Sequence, residues 1–211
     1  MKIGVFGDSY AEHTAANPAH LEWWQYVQQC PNIEIDNYGF GGSSLYYTWK
    51  QFHTHQHKYD KVIVCLTKPN RLWMPHLPKD WQSEHVHALD ALKHRTFKNP
   101  YAARIMKNAL TSYYKYIVNL EEQQDIWKLQ IADIKRTRPD GLYLACFPDD
   151  EIISDYMPLF EISKLDGDLI GTQRDTRANH FNDKNCRIFA KKIETWIQTN
   201  QFSLDIEDFS K

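Results

Sequence analysis

The sequence predicts an α/β fold built on a central parallel sheet with helices on both faces. Three observations lead there: short apolar runs of strand length, helical periodicity between them, and connections too long for hairpins. With 211 residues the chain can bury one sizeable core and is too short for two comfortable ones. One domain is expected over residues 1–211, with a mainly helical insertion at about 79–138.

The first strand is "KIGVF", an apolar run that stops at Gly7-Asp8, as a buried parallel strand does. "HLEWWQYVQQC" follows with Leu21, Trp24, Val27 and Gln28 at helical spacing, Asn17-Pro18 as a start signal and Pro31 past the end. "NIEIDNYG" alternates and runs into Gly39, Gly41 and Gly42, so it reads as the second strand and a loop. Next, "SSLYYTWKQFHTHQH" sets Leu45, Trp49 and Phe52 on one side of a helix, with Ser43 or Ser44 available as its cap. "KVIVCLT" is the third strand and completes a βαβαβ order.

From Tyr101 to Lys135 apolar residues recur at roughly helical spacing, Ile105, Leu110, Tyr113 and Ile134 among them. A single helix of that length is unusual in a globular domain, so a break near Asn119 or a projecting extension is expected. Pro139-Asp140-Gly141 makes a turn and "LYLACF" is strand four. A loop-like stretch with one short helix then leads to "NDKNCRIFAKKIETWIQ", whose Cys186, Phe189, Ile193 and Ile197 line one face of a last helix.

Composition narrows the partners. The formal net charge is -2 and the basic residues are spread along the chain, which leaves no footprint for a phosphate backbone, so no nucleic acid is expected. No apolar run reaches the roughly 18 residues of a membrane span. "MKIGVFGDSYAEH" turns polar too early for a signal peptide. No membrane contact and a cytoplasmic location are therefore expected. Cys30, Cys65, Cys146 and Cys186 show no metal-ligand spacing, and Cys65 and Cys146 lie in apolar runs, which favours buried thiols. His53, His55 and His57 resemble a metal set, but the middle residue of an i, i+2, i+4 series points away from the outer two, so a solvated helix end is expected.

The polar residues at strand ends carry the chemistry. Ligands of open parallel sheets bind beyond the carboxyl ends of the strands, where Ser9 lies. Asp8 and Ser9 can also simply cap the next element. Three glycines after the second strand let a backbone N–H approach a ligand, which beside a serine is half of an oxyanion hole. Asn70 follows the third strand and His180 precedes the last helix. A neutral imidazole there could take the Ser9 proton and return it to a leaving group.

Gly7-Asp8-Ser9, Asn37-x-Gly39-x-Gly41-Gly42, Asn70 and His180 resemble, in order, the four blocks of the SGNH hydrolase superfamily, the GDSL esterases. The resemblance spans nearly the whole chain and implies a flavodoxin-like three-layer α/β/α domain that hydrolyses esters without a metal or other cofactor. It implies Ser9 as nucleophile, His180 as base, and the Ser9 N–H, Gly42 N–H and Asn70 side chain as oxyanion donors. Two blocks depart from the family. Gly-x-Asn-Asp is replaced by Lys68-Pro69-Asn70-Arg71, and the Asp of Asp-x-x-His by Arg177. Asp175, Asp183 or a backbone carbonyl could then orient His180, with Asp175 preferred.

The expected activity is hydrolysis of a carboxylic ester, an O-acetyl or short acyl group on a small molecule or a glycan. Tyr10, Trp73 and Arg177 are candidate substrate contacts. The alternative is a degenerate SGNH fold serving as a binding or virion-structural module. The helical insertion is a candidate homo-oligomer contact.

Overall fold

The computed structural model describes residues 1–12, 21–69, 71–73, 83–85, 100–145, 181 and 183–209. Strands β1 (Lys2–Phe6), β2 (Glu34–Asn37), β3 (Lys61–Leu66) and β6 (Leu142–Ala145) form one sheet in the order β2-β1-β3-β6. Every ladder is parallel, with Ile3 opposite Ile35, Val5 opposite Ile63 and Cys65 opposite Leu144. The chain steps from β1 to β2 on one side and returns to β3 on the other, so the order reverses at β1. Such a switch point opens a crevice at the carboxyl ends of β1 and β3.

Side-chain alternation divides each strand between two layers. Ile3, Val5, Ile63, Cys65, Leu142 and Leu144 face one cluster, closed by Trp23 and Val27 of α1 (Trp23–Gln28) and by Phe189 and Ile193 of α5 (Asp183–Thr199). Phe6, Val62, Val64, Leu66, Tyr143 and Ala145 face the other. Leu45 and Phe52 of α2 (Leu45–His55) cover that side together with Trp127, Ile131 and Ile134 of α4 (Leu120–Thr137). Two helical layers around one parallel sheet make a flavodoxin-like α/β/α fold. Gly4 is required on the second face, since a Cβ there would sit 2.4 Å from the Tyr59 ring.

Local signals account for the helix ends. Ser44 caps α2 by accepting from the Tyr47 N–H, and Asn119 caps α4 by accepting from Glu121 and Glu122. The expected break near Asn119 thus separates α4 from α3 (Pro100–Tyr116). In α1 the capping residue is Glu22, whose backbone N–H donates to Gln25 Oε1. Trp23, 1% exposed, is the buried tryptophan there, while Trp24 is only partly buried. This corrects the expected helix face: the edge-on contact of Trp23 with Phe189, centroids 5.2 Å apart, sets the rotation.

One element has no counterpart in the sequence reading. β4 (Arg71–Trp73) and β5 (Ser83–His85) form a two-stranded antiparallel ladder beyond β3. Three residues per strand are too few for a period-2 pattern to register. The start signal Asn17-Pro18, Cys146 and the short helix expected before α5 lie outside the described residues. No helix among the described residues is long and apolar enough to cross a membrane.

Candidate active site

β1 drives straight into the Gly7-Asp8-Ser9 turn. The Asp8 carbonyl accepts from the N–H groups of Ala11 and Glu12, both at 3.0 Å, and its Oδ1 accepts from the Tyr10 N–H at 3.1 Å. Asp8 therefore does cap its own turn, as aspartate does by bonding backbone two residues on. It is also fully buried, and its Oδ2 accepts from Arg71 Nη1 at 3.1 Å. Ser9 is partly exposed at the tip of that turn. Capping and exposure of Ser9 are thus compatible, because the neighbouring aspartate supplies the cap.

The loop after β2 is stapled onto this turn. Asn37 accepts from the Gly39 N–H through Oδ1 at 2.7 Å and donates through Nδ2 to the Ala11 carbonyl. The Gly7 carbonyl accepts from the Phe40 N–H at 3.1 Å and from the Ser43 hydroxyl at 3.2 Å. The Ser43 N–H closes back on Phe40, and Gly42 takes φ 75° in that turn. A left-handed third residue is what type II turns demand, and glycine meets it without strain. Gly39 has a different reason: a Cβ there would lie 2.6 Å from the Ala11 carbonyl carbon. Its smallness lets two protein loops touch, a role that the ligand-approach expectation did not include.

Arg71 joins a third segment to the other two. Besides Asp8, its Nη1 donates to the Ser43 carbonyl at 3.3 Å, and its side chain is 10% exposed. Beside it opens a cavity of about 250 Å³, walled by Ser44, Tyr46, Arg71, Gln123, Trp127 and Gln130. Trp127 is held there by donation from its indole N–H to the Thr67 carbonyl at 2.7 Å.

A fourth segment arrives through an aromatic contact. Phe181, 4% exposed, meets the Tyr10 ring edge-on with centroids 5.9 Å apart. These rings belong to the residues that directly follow His180 and Ser9 in sequence. Tyr10, expected as a substrate contact, is 3% exposed and packs the turn against the α1/α5 layer. Its carbonyl accepts from the Trp23 indole N–H at 2.7 Å. Asp183 accepts from the Tyr26 hydroxyl and from Arg187 Nε. Burial first, then the bond to Asp183, pushes the Tyr26 phenol up to about 12. Across the crevice, burial and then the Glu12 carboxylate raise the Tyr47 phenol.

Asn70, Asp175, Arg177 and His180 lie outside the described residues, as does the side chain of Trp73. The histidine-rich end of α2 is less solvated than expected. His53 Nε2 lies 2.7 Å from Asp133 of α4, and His55 stacks on Tyr38 with centroids 4.5 Å apart. Among the described residues no group of three or more His, Cys, Asp or Glu side chains is arranged to hold a metal.

No family model matches the sequence, and no curated protein matches it. Among solved structures, a lipolytic protein of the G-D-S-L family from Desulfitobacterium hafniense DCB-2 is 13% identical, with 90% of this chain and 95% of that chain covered and a TM-score of 0.37. The acetyl xylan esterase AlAXEase is 14% identical, with 93% and 100% covered and a TM-score of 0.41. A member of the lipolytic G-D-S-L family from Veillonella parvula DSM 2008 is 16% identical, with 94% and 98% covered and a TM-score of 0.40. The chain is similar to G-D-S-L lipolytic proteins.

The turn after β1 and the loop after β2 are stapled together by Asn37 and the Gly7 carbonyl, and the segment after β3 is tied to them by Arg71. The Asp8–Arg71 pair was missed in the sequence reading. A carboxylate ending a buried strand does signal that a cation must be near. Which one, 63 residues away, is decided by the switch point that brings the ends of β1 and β3 together.

Proposed function

We propose that this protein is a carboxylic ester hydrolase of the SGNH type that works through a Ser9 acyl-enzyme. His180 takes the proton of the Ser9 hydroxyl as its oxygen attacks the ester carbonyl, and then gives that proton to the departing alcohol oxygen. Water, deprotonated by His180, then attacks the acyl carbon, the bond from that carbon to the Ser9 oxygen breaks, and the imidazolium returns its proton to that oxygen as the acid leaves. The Ser9 and Gly42 N–H groups and the Asn70 side chain receive the negative charge of the tetrahedral intermediate. Asp175 orients the imidazole, and Trp73 and Arg177 contact the substrate.

The observation that carries this reading is the contact between Phe181 and Tyr10, which holds the chain next to His180 against the residue next to Ser9. The bonds from the Phe40 N–H and Ser43 hydroxyl to the Gly7 carbonyl support it further, since they bring the Gly42 loop to the same sheet edge. The substrate of this reading is an O-acetyl or short acyl ester on a small molecule or a sugar. The reaction needs no cofactor, and a cytoplasmic location belongs to the same proposal.

Homo-oligomer contact through the helical pair completes the reading. Tyr101, Tyr116, Ile117 and Leu129 on α3, α4 and their junction are each at least 67% exposed, more apolar surface in one segment than isolated surface residues present.

The test is turnover of p-nitrophenyl acetate by the wild type and Ser9→Ala, with mass spectrometry after fluorophosphonate labelling. Turnover lost in the variant and an adduct on Ser9 are expected. Equal turnover by both proteins, or no turnover and no adduct, would overturn the proposal and favour the binding-module alternative.

A further inference from the structure

We infer that Arg71 is a positioning residue, whose guanidinium fixes the Ser9 turn, the Gly42 loop and its own loop relative to one another. The inference rests on the ester hydrolase reading. One nitrogen, Nη1, reaches both the Asp8 carboxylate at 3.1 Å and the Ser43 carbonyl at 3.3 Å. Asp8 immediately precedes Ser9 and Ser43 immediately follows Gly42, while Arg71 is itself bonded to Asn70. The three proposed oxyanion donors are therefore each one residue from a group that meets at this guanidinium.

Burial makes the clamp stiff. Asp8 is fully buried and the Arg71 side chain 10% exposed, so water cannot substitute for either partner without opening the crevice. Buried ion pairs often add little net stability over an apolar pair of the same volume. Their geometry is the larger contribution here, because donor placement to within a fraction of an ångström governs how well an oxyanion is held. Lysine keeps the charge but ends one bond sooner and lacks the planar fork. To meet Asp8 it must pull the loop after β3 toward β1, which moves Asn70 with it.

The experiment compares wild type, Arg71→Lys, Arg71→Met and Asp8→Asn by thermal melting, by steady-state kinetics on p-nitrophenyl acetate, and by the rate of fluorophosphonate labelling at Ser9. Arg71→Lys is expected to melt near the wild type while kcat and the labelling rate fall about tenfold to a hundredfold, with KM little changed. Folded Arg71→Met and Asp8→Asn fall at least as far. Where either fails to fold, Arg71→Lys decides alone. Wild-type kcat in Arg71→Lys would show that only charge neutralisation matters and would overturn the inference while leaving the esterase reading intact. A raised KM with unchanged kcat would overturn it in favour of a substrate contact. Absence of Ser9-dependent turnover in the wild type would remove the esterase reading and this inference together.

Discussion

The ring of Phe181 stands edge-on to that of Tyr10, with centroids 5.9 Å apart and planes at 71°. Tyr10 follows the candidate nucleophile and Phe181 follows the candidate base, so one buried aromatic contact couples the first turn of the sheet to the entry of its last helix. Phe181 also packs on Phe189 and Phe209, which roots the contact in the α1/α5 layer.

Phe181→Ala should therefore act twice. Removal of a buried phenylalanine costs about 3–5 kcal/mol in stability, and the same change removes the ring that packs edge-on against Tyr10. Below its lowered melting temperature the variant is expected to label more slowly with fluorophosphonate than the wild type. Equal labelling rates in the folded variant would count against the coupling.

Gly39→Ala tests whether the two loops must touch. The new Cβ would meet the Ala11 carbonyl carbon and Cβ at 2.6 Å, and neither is the end of a flexible side chain. Overpacking of this kind costs about 1–3 kcal/mol. A lower denaturation midpoint with an unchanged slope is expected in urea. A midpoint equal to that of the wild type would mean that the loops can part freely.

Asp133 links α4 to α2 and gives the fold an acid-sensitive seam. Bonds from the Trp49 indole N–H and from Arg136 are the main causes that hold its carboxyl below the usual range, with His53 adding to them and burial opposing. A depressed native value means that the contribution is present above the unfolded carboxylate's titration and lost as pH falls through the native one. The loss is expected from about pH 4 downward. Asp133→Asn should cost about 1 kcal/mol at neutral pH, discounted because the side chain is 28% exposed. Melting curves of the two proteins should converge in acid; a constant gap down to pH 2 would contradict the assignment.

The exposed apolar residues of the helical pair predict self-association. Ile126 and Leu129 lie three apart on α4, 47% and 70% exposed, away from the buried Trp127, Ile131 and Ile134. Light scattering should give a mass above that of one chain, and Leu129→Lys should lower it without loss of ester turnover. A wild-type monomer at tens of micromolar would dismiss this contact.

What the sequence determined by itself is the part of the protein governed by local chemistry. Apolar runs such as "KVIVCL", the cap Ser44, the break near Asn119 and the spacing of Cys186, Phe189 and Ile193 follow from hydrophobic periodicity, helix length and unsatisfied helix ends, so the parallel α/β architecture is legible in one dimension. The serine after β1 is legible for the same reason, because strand ends in such sheets are where ligands bind. Tertiary structure decided the rest. Whether Trp23 or Trp24 faces inward depends on where Phe189 lies, and the β4–β5 ladder is too short to leave a pattern. The pairing of Asp8 with Arg71 arises only when the reversal of strand order sets the ends of β1 and β3 side by side. Desolvation then forces that choice, since a carboxylate sealed from water must find a cation among the groups the fold delivers, and no local pattern names which one.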